Sequence, residues 1–260
     1  MTIDHGRAFA LVLAWSAAAC GGTVDPTTGT GSTTGGAGGE GGAATTGSGG
    51  GGACPGTGSS GSGGGGADGE GPITCNGPGA RFVTDVPTAC FGEGEAFGHD
   101  TFPKSALGPP EGGGCCKGSL DVVSLGHGGS ITLAFTGNAI VDGPGVDFLV
   151  FENVFDIGGD PEHPYAELGT VEVSVDGATW TAFPCTAKAY PYGSCAGWHP
   201  VFAGEKEGVD PLDPAVAGGD PFDLADIGVK EARFVRITDR ADAPGTFDLD
   251  GVAIVNAACP

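Results

Sequence analysis

Basic side chains are scarce in this chain: ten Lys and Arg stand against 32 Asp and Glu in 260 residues, a formal net charge of -22. Proteins that hold phosphate backbones or anionic lipid do so with clustered cations, so nucleic acid and anionic membrane surfaces are poor partners, while cations and neutral sugars remain. Setting aside Asp4, Arg7, Asp25, Glu40, Asp68 and Glu70 leaves nine basic and 27 acidic residues from position 75 onward, which is where the imbalance sits. Signals for catalysis are equally thin. The glycine-rich stretches contain no Gly-Lys-Ser/Thr and carry no nucleotide chemistry. No Cys-x2-Cys pair is present, which argues against zinc. Around Ser194, the positions that a Gly-x-Ser-x-Gly elbow would fill with glycine hold Tyr192 and Ala196. His99, His127, His163 and His199 are far apart, and none forms a metal-spaced pair. In so acidic a chain, carboxylate pairs arise by chance, and the sequence is read as that of a non-enzyme.

What is abundant is glycine, at 54 residues, with 19 prolines. Residues 1–19, MTIDHGRAFALVLAWSAAA, join one Arg7 to a short apolar run and three alanines, the grammar of a secretion signal. The run is too short to span a bilayer as a mature helix. Ala17-Ala18-Ala19-Cys20 resembles the lipobox of bacterial lipoproteins, with Ala17 where that family usually has Leu. The resemblance implies lipidation of Cys20 and, with Gly21 and Gly22 following and no Asp beside the cysteine, an address at the outer membrane or cell surface. Residues 20–74 are mostly Gly, Ser, Thr and Ala and contain almost nothing to bury. Such a stretch is expected to be a disordered tether, with a coil span of roughly 40 Å.

Residues 75–260 read as one all-β domain. Helix signals are scarce, and about ten apolar runs of period two are separated by Gly, Pro and Asp turns. That pattern predicts a single β-sandwich, or jelly roll. Its organising stretch is 128–155, two apolar arms joined by Asp142-Gly143-Pro144-Gly145 and read as a core hairpin. In the second arm, Val146, Phe148 and Val150 alternate with Asp147, Leu149 and Phe151, so the strand is apolar on both faces and belongs inside. Val171 to Val175, Asp176-Gly177 and Thr179 to Thr181 form a second hairpin signal. Arg233 and Arg236 alternate with Phe234, Val235 and Ile237, and are expected to face solvent or pair with carboxylates. Phe222-Asp223-Leu224 is echoed by Phe247-Asp248-Leu249.

The succession GSITLAF, GPGVDFLVFENVF, VEVSVDGATW, AGGDPFDLADIG, ARFVRITD and FDLDGVAIV resembles a domain of bacterial secreted and cell-surface proteins. Its strand grammar is also similar to discoidin-like, galactose-binding-type β-sandwiches. The resemblance covers about residues 81–255 and implies a jelly roll without implying an activity. It transfers no ligand residue.

Apart from Cys20 there are eight cysteines, an even number that in an exported chain reads as disulfides. Cys185 and Cys195 bracket a short loop whose closure stabilises by about 2 to 3 kcal/mol in the loop-entropy picture. Cys75 and Cys259 flank the domain and are a second candidate pair. The adjacent Cys115 and Cys116 are expected to take separate partners, with Cys90 and Cys54 as candidates.

Two ligand readings follow. Tyr190, Tyr192 and Trp198 lie in and beside the Cys185–Cys195 loop, where their rings could stack on sugar faces or instead cover one end of the core. Carboxylates concentrate in two places: Asp142, Asp147, Glu152 and Asn153, and Asp220, Asp223, Asp226, Asp248 and Asp250. Calcium is the cofactor such oxygens would hold, with the second group favoured because its two similar segments could bring carboxylates to neighbouring strand ends. The alternative is a solvent face of the strands, since no EF-hand or nonapeptide pattern is present. The functional expectation is a membrane-tethered binding or adhesion module, with a glycan or a surface protein as its partner. A purely structural surface protein is the alternative, and a secreted hydrolase the remoter one.

Overall fold

The computed structural model describes residues 81–94, 97–204 and 206–258. The leader at 1–19, Cys20, the tether at 20–74, and Cys54, Cys75 and Cys259 lie outside the described residues. The first seven strands are β1 (Asp85–Cys90), β2 (Val123–Ser124), β3 (Ser130–Ala134), β4 (Ile140–Val141), β5 (Phe148–Phe151), β6 (Phe155–Asp156) and β7 (Pro164–Tyr165). The rest are β8 (Gly169–Ser174), β9 (Thr181–Ala182), β10 (Asp220–Phe222), β11 (Glu231–Ala232), β12 (Phe234–Asp239), β13 (Asp248–Leu249) and β14 (Gly251–Ile254). Every strand pairing is antiparallel, and the only helical elements among the described residues are short 3-10 turns, so the fold is all-β. None of these is long and apolar enough to cross a membrane.

Two sheets carry most of the pairing. The larger has the order β1-β3-β12-β8-β9, and the smaller β10-β5-β14. Ile131, Leu133, Val171, Val173, Val235 and Ile237 of the first meet Phe148, Val150, Phe222, Val252 and Ile254 of the second in one buried cluster. This arrangement fits a β-sandwich, in which the inward residues of two sheets build a common core. As the alternation of Phe148 to Phe151 predicts, β5 is buried on both faces. Phe148 and Val150 enter the shared core, while Leu149 and Phe151 enter a second cluster with Val201, Ala203, Ala217 and Ala253. The segment after the cysteine loop therefore roofs the outer face of the smaller sheet.

The expected core hairpin at 128–155 does not form. Its first arm goes to the larger sheet as β3 and to β11 as β4, whereas β5 has both edges occupied by β10 and β14. The turn between the arms is real, and Asp147 holds it by accepting the Gly143 N–H at 2.9 Å. A turn alone does not make its flanks partners when distant strands offer longer apolar registers. The second hairpin forms as read, with β8 and β9 pairing Glu172 to Ala182 and Val173 to Thr181. Gly177 supplies the left-handed φ of 71° that its tight connection requires. Beyond Phe222 the chain makes a 3-10 turn at Leu224–Ile227, capped by Asp223 accepting the Ala225 N–H at 2.8 Å and ended by left-handed Gly228.

The Cys185–Cys195 disulfide is present. Cys115 and Cys116 correct the sequence reading: they are bonded to each other where the chain turns, with Cα atoms 3.8 Å apart. Cys90 is also disulfide-bonded.

Candidate ligand-binding site

The loop between β9 and the roofing segment is held at three points. Its disulfide brings the Cα atoms of Cys185 and Cys195 to 4.6 Å. Ala196 exchanges backbone hydrogen bonds of 3.0 Å with Gly169 at the start of β8. Asp220, at the start of β10 and only 1% exposed, accepts the Gly197 N–H at 2.6 Å and meets His199 Nδ1 at 2.7 Å. Burial pushes the Asp220 carboxyl up, and the hydrogen bond and charge of His199 pull against that shift. Gly197 must be glycine here, because at its φ of +89° a Cβ would lie 2.1 Å from the Glu167 carbonyl oxygen.

Tyr190, Tyr192 and Trp198 do come together, with ring centroids 5.8 to 6.4 Å apart and steep interplanar angles. Their roles differ. Trp198 donates its indole N–H to the Cys195 carbonyl at 2.9 Å and packs on the His199 ring at 3.7 Å, so its polar end is already used in shaping the loop. Tyr190 is 45% exposed. Tyr192 turns toward a pocket of about 320 Å³.

That pocket lies between the loop, the β6–β7 pair and the turn after β12. Tyr165 stands at its mouth, 46% exposed, with its ring stacked on Phe155 at 5.1 Å. In its wall, Arg240 donates from Nε and Nη2 to the two carboxylate oxygens of Asp242, each at 2.9 Å, and from Nη1 to the Ala187 carbonyl at 2.7 Å. This guanidinium is buried against the Cys185–Cys195 sulfurs and ties the disulfide loop to the turn. Lys188 reaches Asp242 at 3.7 Å. The Arg240 hydrogen bond holds the Asp242 carboxyl below its usual range, so the pocket's acid is ionised at neutral pH. Tyr165, Lys188, Arg240 and Asp242 escape sequence reasoning because they come from three distant segments. The available signals were Lys188 and Arg240 themselves, rare cations in an acidic chain.

The five carboxylates favoured for a cation disperse. Asp220 holds the loop, Asp223 caps its turn, and Asp226 is exposed. Asp248 lies beside Glu152 and donates its backbone N–H to Glu152 Oε1 at 3.2 Å. Asp250 accepts the Glu111 N–H at 2.9 Å, and burial raises its carboxyl to about 7. Among the described residues, the group that does converge is Asp142, Asp147 and Asp223, with ligand atoms within 4.8 Å of one another. Its central oxygens are already taken. Asp147 accepts from Gly143 N–H, Leu224 N–H and the Asn256 amide at 2.7 to 2.9 Å, and Lys230 pairs with Asp142. The trio pins the turns at 142–147 and 223–227 together.

Compared with known proteins, the chain matches no family model, no curated protein and no solved structure.

Proposed function

We propose that this protein is a non-catalytic binding module, tethered at the outer membrane or cell surface through lipid on Cys20, and that its pocket takes a neutral carbohydrate. The observation that carries the reading is the pocket of about 320 Å³ flanked by Tyr165 and Tyr192, with the Arg240–Asp242 pair in its wall. Aromatic faces match the C–H faces of a sugar ring, and a fixed donor–acceptor pair matches two neighbouring hydroxyls. The discoidin-like strand pattern supports it. A hydrolase would place carboxyls of raised pKa in the cleft. Here Glu152, Glu167 and Asp250 are raised by burial but do not line the pocket, while its lining acid, Asp242, is lowered.

A glycan array probed with the full chain tests the proposal. Defined neutral glycans should bind, and Tyr165→Ala or Lys188→Ala should weaken binding roughly tenfold with little loss of thermal stability, since both side chains are largely exposed. Trp198→Ala, by contrast, should lower the melting midpoint. A blank array would favour the structural alternative instead, and undiminished binding by both surface variants would overturn this pocket as the site.

A further inference from the structure

Glu152 follows β5 and Asp248 opens β13, so the sequence separates them by 96 residues, yet the Asp248 main chain touches the Glu152 carboxyl and the Asp248 charge bears on it. Both are buried, at 1% and 5% exposure. Glu152 Oε1 takes the Asp248 N–H, and the Ser124 and Asn153 side chains hydrogen-bond to Asp248. Glu152 Oε2 and Asp248 Oδ1 have no hydrogen-bond partner. Burying a carboxylate oxygen without a partner costs several kcal/mol unless its charge is neutralised, so two such oxygens on residues joined by a hydrogen bond point to a missing partner, a proton or a cation.

The charges around them do not supply one. Glu167 acts on both carboxyls and Asp239 on Asp248, and both are acids. His99, beside Asp248, and His127, beside Asp239, are the basic groups that bear on the cluster. Asp239 is itself satisfied, accepting the Gly128 and Phe247 N–H groups at 2.8 and 2.9 Å. Glu167 accepts the Thr246 N–H at 3.0 Å, and the Thr246 hydroxyl lies 3.3 Å from Ser124 Oγ, which closes a polar ring of carboxylates, hydroxyls and one amide.

We propose that Glu152 and Asp248 hold a divalent cation between them, calcium being the ion that matches. Calcium accepts six to eight oxygens in loose geometry and tolerates hydroxyl and water ligands, whereas magnesium demands a tight octahedron. Glu152 Oε2 and Asp248 Oδ1 are the direct carboxylate ligands. The three acids Glu152, Asp248 and Glu167 do not bring one oxygen each within 4.8 Å of one another. Glu167 therefore lies outside the direct ligand set and acts on it through charge. The site draws one residue from each of the two acidic stretches visible in the sequence, and neither Glu152 nor Asp248 lines the glycan pocket.

Thermal melts and calorimetry on the full purified chain test this. In about 5 mM calcium, above the roughly 0.1 to 1 mM range of extracellular calcium modules, the midpoint should rise relative to chelator, with a single calcium bound per chain. At ten times Kd the folding equilibrium shifts about elevenfold. Magnesium at matched ionic strength should raise the midpoint less. Glu152→Gln and Asp248→Asn should each weaken calcium roughly tenfold or more, while in chelator each melts at or above wild type because a buried like charge is gone. Should both fail to fold, Glu167→Gln at the rim should still weaken binding. Asp223→Asn, in the self-satisfied trio, should leave calcium affinity unchanged. Identical midpoints in calcium and chelator with flat calorimetry would overturn the proposal. So would calcium affinity that survives both Glu152→Gln and Asp248→Asn, or that is lost in Asp223→Asn.

Discussion

At Asp176 one carboxylate organises the connection between β8 and β9. Its Oδ1 accepts the Ala178 and Thr179 N–H groups at 2.8 and 2.7 Å and the Ser174 hydroxyl at 3.0 Å. These donors favour the charged form, and the carboxyl is lowered from 3.8 to about 2. Because the folded pKa lies below the unfolded one, the carboxylate's contribution is present above pH 3.8 and is lost as pH falls through about 2. Asp176→Asn keeps an acceptor but removes the charge. It should melt below wild type at pH 7, and the two curves should converge between about pH 4 and pH 2. Parallel curves across that range would mean that the charge does nothing for the turn. The same economy recurs at Asp147, Asp220 and Asp239, each of which ties main-chain N–H groups from a distant segment. Many of the acids that read as surplus charge in the sequence are thus internal fastenings.

At the scale of elements, legibility followed local pattern. The hairpin of β8 and β9 was readable because alternation and an Asp-Gly turn coincide within a dozen residues. The expected arginine pairing lies at and just before β12: Arg236 meets Glu172 of β8 at 2.7 Å and lies over the Trp180 ring at 4.2 Å, and Arg233 meets Glu231 at 3.0 Å. The double-sided burial of β5 was readable from its unbroken apolar run. Its partners were not, because β10 and β14 lie far along the chain and period two says nothing about which strand pairs with which. The pocket and the Glu152–Asp248 pair share that fate, each joining residues with no common motif. β5 also sets a packing prediction. Phe148 stacks on Phe222 at 5.1 Å and meets Phe183 edge-on at 5.9 Å, fully buried. Phe148→Ala should cost about 3 to 5 kcal/mol, read as a lower denaturant midpoint at unchanged slope. A loss under about 1 kcal/mol would show that the two sheets do not depend on this ring.

For the whole molecule, the proposed order is lipid, tether and head. Cys20→Ser should move the protein from the membrane fraction to the soluble one while leaving the head's melting midpoint unchanged. A variant still retained by membranes would end the lipid-anchor reading. The net charge of -22 suits such a display, since it disfavours adhesion to anionic lipid beneath the head. The topology adds a constraint of timing. β12 lies between β3 and β8 in one sheet, and β10 and β14 enclose β5 in the other, so the innermost rows of both are completed by residues after 219. A ribosome that has released the first 200 residues has delivered the larger sheet without its central strand and β5 of the smaller sheet without either neighbour. Under the proposed export, a chain whose sheets wait for their last strands would cross a membrane before its core could close.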